Sequence, residues 1–159
     1  MSLDKLSQHG WYKAEATSPN EIAGLLTIVD RAMADLVVER ISDDLRFHAA
    51  YNGILTLANI SLRASGFRVS PGQGHHQRVI ESLEYTLTTQ ERVAREKWVR
   101  KIKAHSQKRN TTSYDSAGGI SPNDLAQIIR DLSTLREQVI ACLKDTHPEL
   151  LLIDSPPGS

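Results

Sequence analysis

The sequence predicts an all-α protein, an up-and-down bundle of four to five helices. Three observations carry this. Apolar residues recur at helical spacing over several long stretches. Those stretches are bounded by Ser-Pro starts and by Gly or Pro stops. No segment shows sustained strand-like alternation. At 159 residues the chain is long enough for one domain with a real core and short for two. Its 40% hydrophobic and 24% charged residues argue against disorder over most of the length. The expected organisation is an N-terminal arm over 1–17, a bundle over 18–147 and a tail over 148–159, partly disordered at its end.

The first long helix starts at "TSPNE". Ser18 can cap, Pro19 suits the first helical position, and Glu21 stands three residues after the cap, as in a capping box. Ile22, Leu25, Leu26, Val29, Met33, Leu36 and Val37 follow at helical spacing. "ISDDL" starts the second helix, with Ser42 as cap and Asp43 and Asp44 favouring its positive end. It runs to 65, and Gly66 is its left-handed terminator. "FRVSPGQGHH" reads as a loop, and a third helix follows over 75–87. "TTQE" offers a fresh cap, so a break is expected before a fourth helix over 90–108. "NTTSYDSAGG" reads as a loop. "SPND" then repeats the cap-plus-proline start for a last helix carrying Leu125, Ile128, Ile129, Leu132, Leu135, Val139, Cys142 and Leu143.

Formal net charge is zero, so contact with nucleic acid must come from a local patch. The lone Cys142 can form no internal disulfide and reads as a small buried hydrophobe. No basic-then-apolar leader pattern opens the sequence, and no apolar run approaches the ~20 residues of a membrane span. No membrane contact and a cytoplasmic location are expected. A P-loop, a dinucleotide fingerprint, a G-x-S-x-G elbow and H-x-x-x-H spacing are all missing from the sequence. The adjacent His75 and His76 diverge by about 100° on a helix and make a poor metal pair, so no metal and no cofactor are expected.

Three stretches could carry chemistry. The second helix is apolar on most of its surface, which suits a central position or an oligomer interface. Its exception is a stripe of His48, Asn52, Thr56, Asn59 and Arg63, either facing solvent or forming the polar wall of a cleft. The fourth helix is basic: 88–110 holds eight Lys and Arg against two Glu. That excess suits phosphate, through Arg100, Lys101 and Lys108, or a solvated face paired with acidic residues at Asp30, Asp35, Glu39, Asp43 and Asp44. Along this helix Ala94, Trp98, Ile102 and His105 share a face, and Arg109 lies one turn beyond His105. Arg109 is therefore expected to point inward or line a cleft, apart from the exposed lysines.

Taken in order, "RFHAAYNGILTLANISLRASGFRV", a Gly-rich loop leading into "GHHQRVIESLEY", and "KRNTTSYD" after a basic helix resemble the prokaryotic HEPN domains (higher eukaryotes and prokaryotes nucleotide-binding) over 18–143. The resemblance implies a helical bundle that forms a homodimer. It also implies one of two activities. Many members are metal-independent RNases, often of toxin–antitoxin or defence systems. Others are nucleotide-binding or scaffold partners of a nucleotidyltransferase or of a toxin or antitoxin protein. The RNase signature is Arg, a polar residue, three variable residues, then His. Arg109 and Asn110 match its first two positions, and Tyr114 stands where the histidine belongs.

A tyrosine with a pKa near 10 is a poor general base at neutral pH, whereas histidine titrates near neutrality. The expectation is therefore binding of RNA or a nucleotide without strong catalysis, through Arg109, Asn110 and Tyr114 with His48 and Asn52. In the RNase alternative, His105 supplies the imidazole beside Arg109, and the loop after Asn110 brings Tyr114 back over that arginine.

Overall fold

Side-chain capping starts three of the long helices where their sequence context dictates. This computed structural model describes residues 2–38, 40–72, 74–115 (the backbone alone for 111–115) and 119–152. In chain order the elements are α1 (Leu3–Ser7), β1 (Tyr12–Ala14), α2 (Pro19–Asp35), α3 (Asp43–Ala64), β2 (Phe67–Val69), α4 (His75–Thr86), α5 (Arg92–Asp115), α6 (Pro122–Thr146) and a 3-10 turn, Pro148–Leu151. The Ser18 hydroxyl accepts the Glu21 N–H at 3.2 Å, and Ser42 accepts that of Leu45 at 3.2 Å. At α6 the box is reciprocal: Ser121 accepts from the Asp124 N–H at 3.0 Å, and the Asp124 carboxylate accepts from the Ser121 N–H at 3.1 Å. The Glu21 carboxylate instead takes the Thr17 hydroxyl at 2.9 Å and Arg63 at 3.0 Å.

The architecture is an all-α helical bundle with one two-stranded ribbon. Its centre is α3, on which α2, α4, α5 and α6 all pack. Phe47, Tyr51, Ile54, Leu57 and Ile60 of α3 are fully buried among Ile22 and Val29 of α2, Ile80 and Leu83 of α4, Ile102 of α5 and Ile128, Leu132 and Val139 of α6. Each such side chain contributes about 1.5–3 kcal/mol when removed from water. Close approach of α3 and α6 depends on Gly53, where a Cβ would meet Leu132 Cδ1 at 2.8 Å. Cys142 is buried, as its apolar neighbours predict.

The course of the chain has one feature beyond alternation. Ser61 and Ala64 of α3, Thr86 of α4 and Leu143 and Thr146 of α6 border one small cavity, so the C-terminal ends of these helices meet. Hence α3 and α4 run in the same sense, and the segment between them carries the chain back. That return segment contains β2, which pairs antiparallel with β1 in the register Tyr12 to Val69, Lys13 to Arg68 and Ala14 to Phe67. Three-residue strands are too short to show alternation, so neither was legible in the sequence. The N-terminal stretch read as an arm is fastened at this point. Leu3, Leu6 and Tyr12 form a second apolar cluster with Leu62, and the Tyr12 hydroxyl donates to the Arg78 carbonyl at 2.7 Å.

Two boundaries differ from the sequence reading. "NTTSYD" continues α5 as helix to Asp115, because no glycine or proline interrupts it before that point. The tail folds back as the 3-10 turn, burying Leu150 against the core. The disorder expected at the end of the tail falls on 153–159, outside the described residues.

Candidate functional site

The inward face of α5 delivers Trp98, Ile102, His105 and Arg109 at steps of four, three and four. Trp98, Ile102 and His105 are buried. His105 does not face an empty cleft. Its Nε2 meets Asp131 Oδ2 of α6 at 2.7 Å, and the Phe47 ring stands edge-on to it at 6.0 Å between centroids. Asp131 is only 3% exposed, and its other oxygen accepts from Gln127 Nε2 at 2.9 Å and from Lys101 Nζ at 3.3 Å. Burial alone pushes the Asp131 carboxyl up. The His105 hydrogen bond, the Lys101 charge and the Gln127 amide outweigh it and hold the group below its ordinary value.

This cluster bridges a gap. α5 and α6 are not among the closely packed helix pairs. Between them lies an open cleft of about 230 Å³ lined by Trp98, Lys101, Asp131 and Gln138. Long polar side chains span it, including the Trp98 indole N–H, which donates to Gln138 Oε1 at 2.6 Å. In the neutral state, a proton on His105 Nε2 donated to Asp131 leaves Nδ1 as the basic nitrogen. A carboxylate that fixes the tautomer in this way can orient a proton acceptor or simply secure the helix.

One turn on, the Arg109 guanidinium lies 4.9 Å from the centroid of the Tyr51 ring. It therefore points inward, as the spacing predicts. Tyr51 is fully buried and its hydroxyl has no hydrogen-bond partner among the described residues. Arg109 also acts on α4. Burial, then His75, then the Arg109 charge hold the His76 imidazole below its ordinary pKa. The start of α4 has no side-chain cap, and Gly74 adopts the left-handed conformation there with φ 77°. Arg109, His76 and the open first turn of α4 thus stand at one end of the bundle.

The other residues singled out by sequence divide. Asn110 is exposed. Residue 114 lies on helical backbone about 140° around α5 from Arg109, so no loop folds it back over the arginine. The Tyr114 side chain is outside the described residues. Asn52 is exposed and its carbonyl accepts the Thr56 hydroxyl at 2.8 Å, while His48 is half-buried. Arg63 at the far end of the polar stripe is drawn to Glu21, about 18 Å along α3 from Tyr51.

The basic helix spends much of its charge internally. Lys101 pairs with Asp131, Lys103 with Glu81 at 3.0 Å, Lys108 with Asp124 at 3.1 Å and Arg92 with Glu96 at 3.0 Å. Arg100 is exposed with no ion pair among the described residues. The partners come from α4, α5 and α6. Asp30, one of the expected acidic partners, is taken by Arg136 at 3.0 Å.

Sequence reasoning missed Asp131, Gln127, Tyr51 and His76 as site residues. Asp131 left one signal: it lies three residues after Ile128 and four before Leu135, on the buried stripe of α6. Among the described residues no group of three His, Cys, Asp or Glu could hold a metal ion, and no helix is long and apolar enough to cross a membrane. No family model, curated protein or solved structure matches this chain.

Proposed function

We propose that this chain is a HEPN-like protein that binds RNA or a nucleotide through phosphate, at the end of the bundle marked by Arg109. The observation that carries the reading is the Arg109 guanidinium seated 4.9 Å over the buried Tyr51 ring. A cation held by a ring keeps its direction and remains able to bind an anion. The uncapped first turn of α4 adds backbone N–H groups on the same side. Arg100, exposed on the same helix, adds a second phosphate contact.

The reading includes a homodimer, a cytoplasmic location and a place in a toxin–antitoxin or defence system, on the strength of the resemblance. It also admits a nucleotidyltransferase as partner. Fluorescence anisotropy with short labelled RNAs and nucleotides at low salt tests it. Binding is expected in the wild type and is weakened about tenfold in Arg109→Gln, the loss of one charge-assisted hydrogen bond. Absence of binding, or equal binding by the variant, overturns the proposal. Light scattering tests the dimer, which a monomeric mass at micromolar concentration rejects.

The 2.7 Å bond between His105 and Asp131 favours a second reading, a metal-independent endoribonuclease with His105 as proton acceptor. It predicts RNA cleavage in EDTA that is lost in His105→Gln and in Arg109→Gln. Cleavage surviving in both variants, or none in the wild type, removes it.

A further inference from the structure

The β1–β2 ribbon carries an arrangement that a small sheet normally avoids. Its register sets Lys13 directly opposite Arg68. Like charges facing each other across strands repel. Arg63 of α3 borders the same concavity, and the pocket of about 290 Å³ between ribbon, α3 and α4 is lined by Lys13, Asn59, Arg63, Arg68 and His75 over a floor that includes Val79. Among the described residues no carboxylate lines it. Two carboxylates offset the cations from outside: Glu15 pairs with Arg68 at 2.8 Å and Glu21 with Arg63 at 3.0 Å. Lys13 has no ion pair among the described residues. The Arg63 Nε is buried with no hydrogen-bond partner among the described residues.

We infer that this pocket binds the phosphate group of a small molecule, the dianion of orthophosphate or of a phosphate monoester. Three cations, one of them without a counterion among the described residues, form a site that an anion completes. The Asn59 side-chain amide and the His75 ring supply further polar groups at its edge. The volume lies at the lower edge of the ~300–1,000 Å³ typical of ligand pockets, which suits a compact anion or a nucleoside monophosphate. The cations that line it, Lys13, Arg63 and Arg68, are not those assigned to the Arg109 end, although His75 opens the same turn of α4, so the pocket is tested through Lys13.

The test titrates the full chain with orthophosphate and with adenosine 5′-monophosphate at constant ionic strength, with chloride as control, following the His75 imidazole by NMR and affinity by calorimetry. Saturable binding of either phosphate, but not of chloride, is expected. Tighter binding of the nucleotide assigns the pocket to phosphate esters, and equal binding assigns it to the inorganic ion. Lys13→Gln is expected to weaken binding about tenfold, as loss of one charge-assisted contact does, while raising the melting temperature in phosphate-free buffer. The weakening by Lys13→Gln is expected to persist in the Arg109→Gln background, which separates this pocket from the Arg109 end. No saturation up to about 10 mM, a site that would be weaker than most functional ones, overturns the proposal. Unaltered binding in Lys13→Gln overturns it equally, and that exposed residue can be replaced without unfolding the chain.

Discussion

His105 and Asp131, 26 positions apart in the chain, meet at 2.7 Å between Nε2 and Oδ2 across the cleft separating α5 from α6. Because Asp131 also takes Lys101 and Gln127, one buried carboxylate organises three side chains. Removing one member of a buried ionic cluster strands the others. Asp131→Ala is expected to cost about 3 kcal/mol, the low end for buried pairs because Lys101 keeps partial contact with water. Denaturant midpoints check it. His105→Gln is expected to cost less, since its amide can still donate to the carboxylate.

Acid should act through the same carboxylate. An unfolded aspartate takes up a proton near pH 4, whereas Asp131 in the fold holds out to lower pH. Between those values the unfolded chain binds more protons. The stabilisation is therefore full above about pH 5 and is lost as pH falls through the folded value. Thermal melts from pH 6 downward are expected to fall less steeply in Asp131→Asn than in the wild type. Some slope remains in the variant, because Glu21 and Asp124 are also held below their ordinary values.

Arg109 and His76 are coupled through space. Burial is the larger influence on His76, with His75 and then Arg109 adding to it. In Arg109→Gln the His76 pKa is expected to rise toward its ordinary value while remaining below it. Histidine NMR titration reads this directly. An unchanged His76 would place Arg109 elsewhere.

Tyr51 offers a prediction of opposite sign. Its hydroxyl is buried without a partner among the described residues, a state that costs about 1–3 kcal/mol. Tyr51→Phe removes that penalty and keeps a ring beneath Arg109. The expected result is a gain of about 1 kcal/mol in unfolding free energy, measured by denaturant melts. A loss would mean that the hydroxyl has a partner in solution.

Much of the fold was legible because local chemistry dictates it. Ser18, Ser42 and Ser121 all cap the helices their context announced, and Gly66, with φ 91°, follows the end of α3. The end of α5 was not legible, because Asn110 and the threonines after it weaken a helix without stopping it. The ribbon was hidden for a different reason: pairing Lys13 with Arg68 depends on how two segments 55 positions apart are brought together. The inward direction of Arg109 was readable from spacing along one helix. The partner of His105 was not, since an aspartate on α6 gives no local sign of which helix it will face.

The contacts across the α5–α6 cleft have a mechanical consequence. Trp98 with Gln138, Lys101 and His105 with Asp131, and Lys108 with Asp124 form three rungs between antiparallel rails. Sliding or rolling α5 by a single residue would break every rung together. Arg109, mounted at the last of them, is thus a fixed post whose position is dictated by α6. The opening turn of α4 is held differently, from the N-terminal side, where the Tyr12 hydroxyl donates to the Arg78 carbonyl at 2.7 Å.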